Sequence, residues 1–223
     1  MNFIYFVDLT DPLVCYNIIN TNQLISPSII HLDTFKEIYP LYTISPDLIL
    51  NNLESVSIGF ISPRLKIVTL SNWARNGIKI GIGNYYYSQE EIDRFHRIAE
   101  LEIEFEKIRR QINKNHPSRL SCIFLAEDNQ DGRTMLKNMF PYKLNFHIVN
   151  ISITLSTQFH KADSKWIDNY IETNNTTSII NYWKGIPFDN FPEYEYLLEG
   201  KIELVNKSDQ NFIETNFDTS KYA

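Results

Sequence analysis

The feature that most constrains this chain is a run that begins at Ser88. Ser88 and Glu91 form an S-x-x-E pair, the signature of a helix start in which each residue satisfies the other's exposed backbone group. Ile92, Phe95, Ile98, Leu101, Phe105, Ile108 and Ile112 then follow at spacings of three or four, with charged residues on the opposite face. This predicts one long amphipathic helix from Ser88 to about Asn113. A helix with a single apolar stripe has to bury it against another layer, so the rest of the chain must supply that layer. Packing against a core accounts for the stripe more simply than a coiled coil with a partner.

The other segments supply mostly strands and short helices. Phe3 to Val7 is an aromatic and β-branched run, a first strand. Asp11-Pro12 gives a cap followed by proline at the first helical position, and Leu13, Tyr16 and Ile19 continue at helical spacing. Ser26 to Asp47 carries Pro27, Pro40 and Pro46 and reads as irregular, with a short helix near Thr34 to Ile38. Val56 to Leu70 reads as β-rich, broken by Pro63. Ile78 to Tyr87 reads as a strand or hairpin, and Leu120 to Ala126 as a buried strand. Asp128 to Phe140 should be a helix stopped by Pro141, Phe146 to Leu155 a strand, and Asp163 to Glu172 a short helix. Asn174 to Thr177 reads as a polar loop. Glu195 to Val205 reads as two short strands around a tight turn at Glu199-Gly200. The last fifteen residues are polar and expected to be loose. The organisation is a single α+β domain, residues 1–207, with a polar tail over 208–223.

Composition excludes several classes. With 21 basic and 27 acidic residues among 223, the net charge is −6. A broad nucleic-acid backbone interface is therefore disfavoured, although a local basic cleft is not. Cys15 and Cys122 lack the spacing of a zinc or redox motif and are expected to be buried free thiols, a single long-range disulfide being the alternative. The N-terminus lacks the basic start and apolar core of a signal peptide. Pro12 to Leu32 carries no formal charge, but Asn17, Asn20, Asn22 and Gln23 would be costly in lipid, so no membrane span is expected and the chain reads as cytoplasmic. There is no P-loop and no G-x-S-x-G elbow, and Gly77, Gly81 and Gly83 do not make a dinucleotide fingerprint. His31, His96, His116, His147 and His160 are scattered, without metal-ligand spacing, so no metal is expected.

Three segments stand out by type and order: Ile4 to Asp11 with the helix and Gln23-Leu24-Ile25-Ser26-Pro27 after it; Pro117 to Asp128, followed by a helix; and Glu193-Tyr194-Glu195-Tyr196-Leu197-Leu198. In this order they resemble the ADP-ribosyltransferase superfamily. Ile123 to Asp128 is similar to the aromatic-bearing strand of its poly(ADP-ribose) polymerases, with Phe124 at the ring position. Glu195 to Leu198 is similar to the strand that bears the superfamily's glutamate, and Glu193-x-Glu195 fits the E-x-E of its arginine-modifying branch. Tyr182-Trp183-Lys184-Gly185 resembles a segment of small bacterial members. The resemblance implies a split, mixed or antiparallel β core and NAD as substrate. It also implies a macromolecular acceptor, protein or nucleic acid, as expected of a toxin, effector or defence component. The sequence departs from the pattern at Phe6 or Val7, where a histidine or arginine usually grips the cofactor.

The chemistry of these residues stands beside the resemblance. Cleaving a nicotinamide–ribose bond builds positive charge on the sugar, which a fixed carboxylate stabilises. Glu195 is the candidate, with Glu193 orienting the acceptor. The alternatives are a strand-edge surface acid and a loop acid. Phe124 offers a stacking face, or is a core residue. Arg119, flanked by Ser118 and Ser121, could fork onto a pyrophosphate, or pair with an acid of the long helix. Tyr5 and Asp8 could line the cofactor slot, or serve in packing and a turn. Trp166 and Trp183 read as core. A non-enzymatic interaction or regulatory protein on the same scaffold is the competing reading, favoured by Phe6. Thirty aromatics would suit a nucleic-acid-stacking module, but the acidic balance opposes it.

Overall fold

The computed structural model describes residues 1–31, 63–82, 85–139 and 145–217. The chain folds as one mixed α/β domain built on an antiparallel sheet. Strand β1 (Phe3–Asp8) leads to α1 (Pro12–Thr21), β2 (Gln23–Ile25) and a 3-10 turn, Pro27–His31. Helix α2 (Pro63–Arg75) precedes a small hairpin of β3 (Gly81–Ile82) and β4 (Tyr85–Tyr86), and α3 (Gln89–Asn113) follows. The order continues with β5 (Ile123–Glu127), α4 (Gln130–Met139), β6 (Phe146–Asp163), α5 (Lys165–Thr173), α6 (Thr176–Trp183), β7 (Tyr194–Leu204) and α7 (Lys207–Asn216).

The main sheet runs β2-β7-β5-β1-β6, every pairing antiparallel, and β6 also pairs along β7. Strand β6 thus turns from β1 (Phe3 opposite Ile151) onto β7 (Ile151 opposite Leu204), and β1, β5, β7 and β6 close into a ring. Two β-irregularities, between Ile153 and Leu155 and between Ser156 and Gln158, accompany the turn. One face of the sheet carries Val7, Ile123, Leu125, Tyr196, Leu198 and Ile202, packed with Cys15 and Ile18 of α1 and Ile213 of α7. The other carries Phe124, Leu197 and Ala162 under Phe105, Ile108, Tyr182 and Trp183 of α3 and α6. Ile4, Phe6 and Ala126 complete that face under Met135 and Leu136 of α4.

Helix α3 forms as its pattern requires: Ser88 Oγ accepts from Glu91 N–H, and the Glu91 carboxylate accepts from Ser88 N–H. In α1, Asp11 caps Leu13 and Val14, with Pro12 at the first position. The β3–β4 hairpin, β5, α4 and α5 also fall where the sequence places them, and Cys15 and Cys122 are buried and free.

Several expectations are corrected. Residues 63–70 are helical rather than β-rich, because Pro63 opens a helix instead of breaking a strand. The polar stretch at Asn174–Thr177 ends one helix and starts another, with Asn174 left-handed at the end of α5 and Asn175 Oδ1 capping Thr177 N–H of α6. Strand β7 runs unbroken through Glu199-Gly200. Most of the expected loose tail is α7, where Ile213 is buried and Gln210 donates to the carbonyls of Ile18 and Ile19. The helix expected near Thr34 to Ile38, and the strand expected over 56–62, lie outside the described residues. Among the described residues, no helix is long and apolar enough to cross a membrane.

Candidate functional site

On the face covered by α3 and α6, the strand entrance at Arg119 puts a guanidinium among acids. Arg119 Nε donates to Glu102 Oε2 at 2.9 Å and Nη2 to Glu102 Oε1 at 3.1 Å. Nη1 donates to Glu195 Oε1 and, at 2.5 Å, to Tyr182 Oη, which itself donates to Glu195 Oε1. Arg64 of α2 adds a second contact to Glu102 at 3.4 Å. The guanidinium lies 5.1 Å from the Phe124 ring centre, 5.2 Å from Tyr182 and 5.4 Å from Phe105. All four polar members are almost wholly enclosed, Glu102 and Glu195 at 0% exposure, Tyr182 at 0% and Arg119 at 2%.

Charge pairing decides the protonation here. Burial pushes the Glu102 carboxyl up, but Arg119 and Arg64 outweigh it and hold it below the usual carboxylate range. Burial likewise opposes the Arg119 charge, and Glu102 and Glu195 more than restore it. Burial lifts the Tyr182 phenol well above its ordinary value, with Glu195 adding to the rise, so the phenol stays a donor. One atom is left over: Glu195 Oε2 is buried and has no hydrogen-bond partner among the described residues.

The structure thus brings Glu195, Phe124 and Arg119 into one cluster, and it is a closed one. Arg119 makes the helix pairing, with all three nitrogens on protein partners, instead of offering a free fork to a pyrophosphate. Phe124 and Trp183 are core residues, and Trp183 Nε1 donates to the Phe105 carbonyl at 2.8 Å. Trp166 is only partly buried; its Nε1 donates to the Ile186 carbonyl and its ring meets Phe188. Glu193 precedes β7, its N–H donating to Asp163 and its carbonyl accepting from Ser164. Tyr5 points to the opposite face of the sheet, among the α1 cluster, where burial and then Asp11 and Asp8 raise its phenol. Asp8 accepts from the N–H and hydroxyl of Thr10, a turn role. Phe6 stacks on Phe146 at 4.7 Å beneath α4. Ser118 Oγ donates to Glu106 at 2.8 Å, and Ser118 and Ser121 line an open pocket beyond the cluster.

Glu102, Glu106 and Arg64 are not singled out from sequence, and Tyr182 is named there only within Tyr182-Trp183-Lys184-Gly185, with no role of its own. A signal for the two acids exists: Phe95, Ala99, Glu102, Glu106 and Arg109 form one row at spacings of three and four, and all are buried. Acids on a buried row require partners, and Arg119 and Arg109 are those partners.

This ring-closed antiparallel sheet, covered by helices and holding a buried Arg–Glu–Tyr cluster, defines a single-domain α/β protein. Residues 15–210 match the model of a family described as a protein of unknown function, DUF2441, and the chain belongs to that family. Among curated proteins no match is found.

Proposed function

We propose that the chain is an NAD-dependent ADP-ribosyltransferase acting on a protein or nucleic-acid acceptor, with Glu195 as its catalytic carboxylate. The observation that carries this reading is Glu195 Oε2, a buried carboxylate oxygen without a donor. Such an atom is costly to leave unmade, and a ribose hydroxyl is the donor that the resemblance implies. A second support is topological: the three segments of the resemblance are the adjacent strands β1, β5 and β7. In the reaction, the ribose C1′–nicotinamide bond breaks with its electron pair leaving on nicotinamide, and an acceptor nucleophile, losing its proton, takes C1′. The chain's part is electrostatic: Glu195 faces the charge that develops on the sugar. Glu193, closer to the surface, would orient the acceptor. Reaching Glu195 requires the Tyr182 and Arg119 side chains to part from it.

That last requirement is the observation that favours the competing reading, a non-enzymatic interaction or regulatory protein. Glu195 is fully enclosed, and apolar Phe6 stands where a cofactor-gripping base is usual. Incubation with NAD labelled in the nicotinamide and in the adenylate separates the two. Release of labelled nicotinamide with transfer of the adenylate label supports the enzyme, and no turnover by the unaltered protein overturns it. Glu195→Gln should lower turnover about a hundredfold or more, scored on the fraction that remains folded. Glu193→Gln should lower acceptor transfer more than NAD hydrolysis.

A further inference from the structure

Two strand edges of the main sheet contrast. One is β2, three residues long, with Pro27 and the 3-10 turn directly after it. An edge so short, stopped by proline, offers little for another strand to follow. The other is β6. It pairs with β1 only from Phe146 to Ile151, and with β7 from Ile151 to Asp163. From Ser152 onward, the edge turned away from β7 meets no strand among the described residues. Its far end is covered: Phe188 N–H donates to Asp163 at 2.8 Å, and Gly185 lies against the Lys161 carbonyl. That leaves Ser152 to Phe159 open. Ser152, Thr154, Leu155, Ser156, Thr157 and Phe159 are all exposed.

The composition of this edge sets it apart. In a chain of which 22% is charged, Phe146 to His160 contains no Lys, Arg, Asp or Glu, and no proline. Edge strands are ordinarily blunted by such residues, because unpaired backbone groups template a further strand. What β6 has instead is two bulges, at Thr154 and Thr157. Their hydroxyls donate to the Lys201 and Glu199 carbonyls of β7, at 3.4 and 3.0 Å, so the slips in the ladder are closed on the β7 side. The bulges bend the strand and limit how far a partner can follow it. Charge then selects the partner. At −6, two copies of the chain repel at a distance, and they meet without opposing like charges only where the surface is uncharged. Laid antiparallel on itself about a two-fold axis, Ser152 to Phe159 faces the same uncharged residues. Leu155 and Phe159, each 41% exposed, give such a pairing apolar area to cover. A charged strand from another protein would find no counter-charge here.

We propose that the outer edge of β6, from Ser152 to Phe159, pairs antiparallel with the same edge of a second copy, so that two sheets join across a two-fold axis. A pairing this short buries little area, so the dimer is reversible and depends on concentration. It makes no use of Glu195 and is independent of the ADP-ribosyl reading. Sedimentation equilibrium of the full chain over a range of concentrations tests it, and a monomer–dimer equilibrium is expected. Ser156→Lys sets like charges against each other near the axis. It should weaken association by about tenfold or more with an unchanged melting temperature. Ser156→Asp should do the same, and an equimolar mixture of the two variants should restore a dimer containing one copy of each. Backbone amide exchange of the unaltered protein gives a second reading that needs no variant. Exchange over residues 152–159 should slow as concentration rises, with the rest of the chain unchanged. A monomer at about 1 mM overturns the proposal and leaves this edge to a strand of a different protein. A dimer that Ser156→Lys leaves intact, or one whose added protection lies outside residues 152–159, uses another face and overturns it as well.

Discussion

At the scale of single residues, Arg119 is a cation held in the interior by two acids, a phenol and three aromatic rings. Removing water from such a charge is expensive, and only complete pairing offsets it. Arg119→Ala leaves Glu102 and Glu195 buried without their shared cation. It should cost about 3–5 kcal/mol of stability, read from urea denaturation. Arg119→Lys should recover only part, since one ammonium cannot serve Glu102 on one side and Glu195 with Tyr182 on the other. A denaturation curve for Arg119→Ala that overlays the parent would show the cluster contributes nothing to the fold. Tyr182→Phe removes a single phenol from between Arg119 and Glu195, and about 1–3 kcal/mol should go with it.

At the scale of elements, Gly200 explains how β7 passes where a turn is expected. A Cβ built on Gly200 would lie 2.1 Å from the Leu155 carbonyl oxygen and 2.8 Å from a Leu198 methyl. The glycine therefore marks close approach of β6 and β7 rather than a reversal of the chain. Its N–H donates to Ser26 Oγ and its carbonyl accepts from Ser26 N–H, which fastens the end of β2 to this crossing. Gly200→Ala should cost about 1–3 kcal/mol through overpacking. Ser88→Ala, which removes the α3 cap, should cost about 1 kcal/mol. Thermal melts of the two variants should rank them in that order or as equals; a silent Gly200→Ala would mean the crossing gives way easily. The helices with explicit start signals, α1 and α3, were legible because caps and periodicity are local. Strand β7 was not, since glycine for a turn and glycine for close packing look alike until the partner strand is known. Helix α6 was hidden because two asparagines that look like a loop are the end of one helix and the cap of the next. In the site, the chain offered Arg119 and the acids of α3 as one of two pairings; which acid, and that Tyr182 joins them, depends on how α6 lies over the sheet.

At the scale of the whole molecule, the interior sets how stability responds to acid. Burial, the nearby His116 and a 3.3 Å contact to the Tyr182 carbonyl act on His160, and burial dominates, taking its pKa to about 4. The folded state thus resists protonation that the unfolded chain accepts near 6.5. Stability that is complete above about pH 6.5 is lost as pH falls towards 4. The Glu102 contribution is also present above its unfolded value, near 4.5, and goes as pH falls below that through its lower folded value. The acid transition should therefore come in two parts. Melting temperatures measured from pH 7.5 to 4.5 should fall in the parent protein and fall less in His160→Gln, and parallel slopes would remove His160 as the cause. The ring of strands bears on how such a chain is made. Phe3 pairs with Glu127 and Ile151, and Gln23 with Glu203, so the earliest strands wait for the latest. During synthesis the first strand emerges with no partner, and the ring closes only after Leu204 has left the ribosome. Contacts this distant along the chain make folding slow. A nascent chain halted before β7 would carry an open sheet edge, and a trigger for chaperone capture or self-association, which the finished protein conceals.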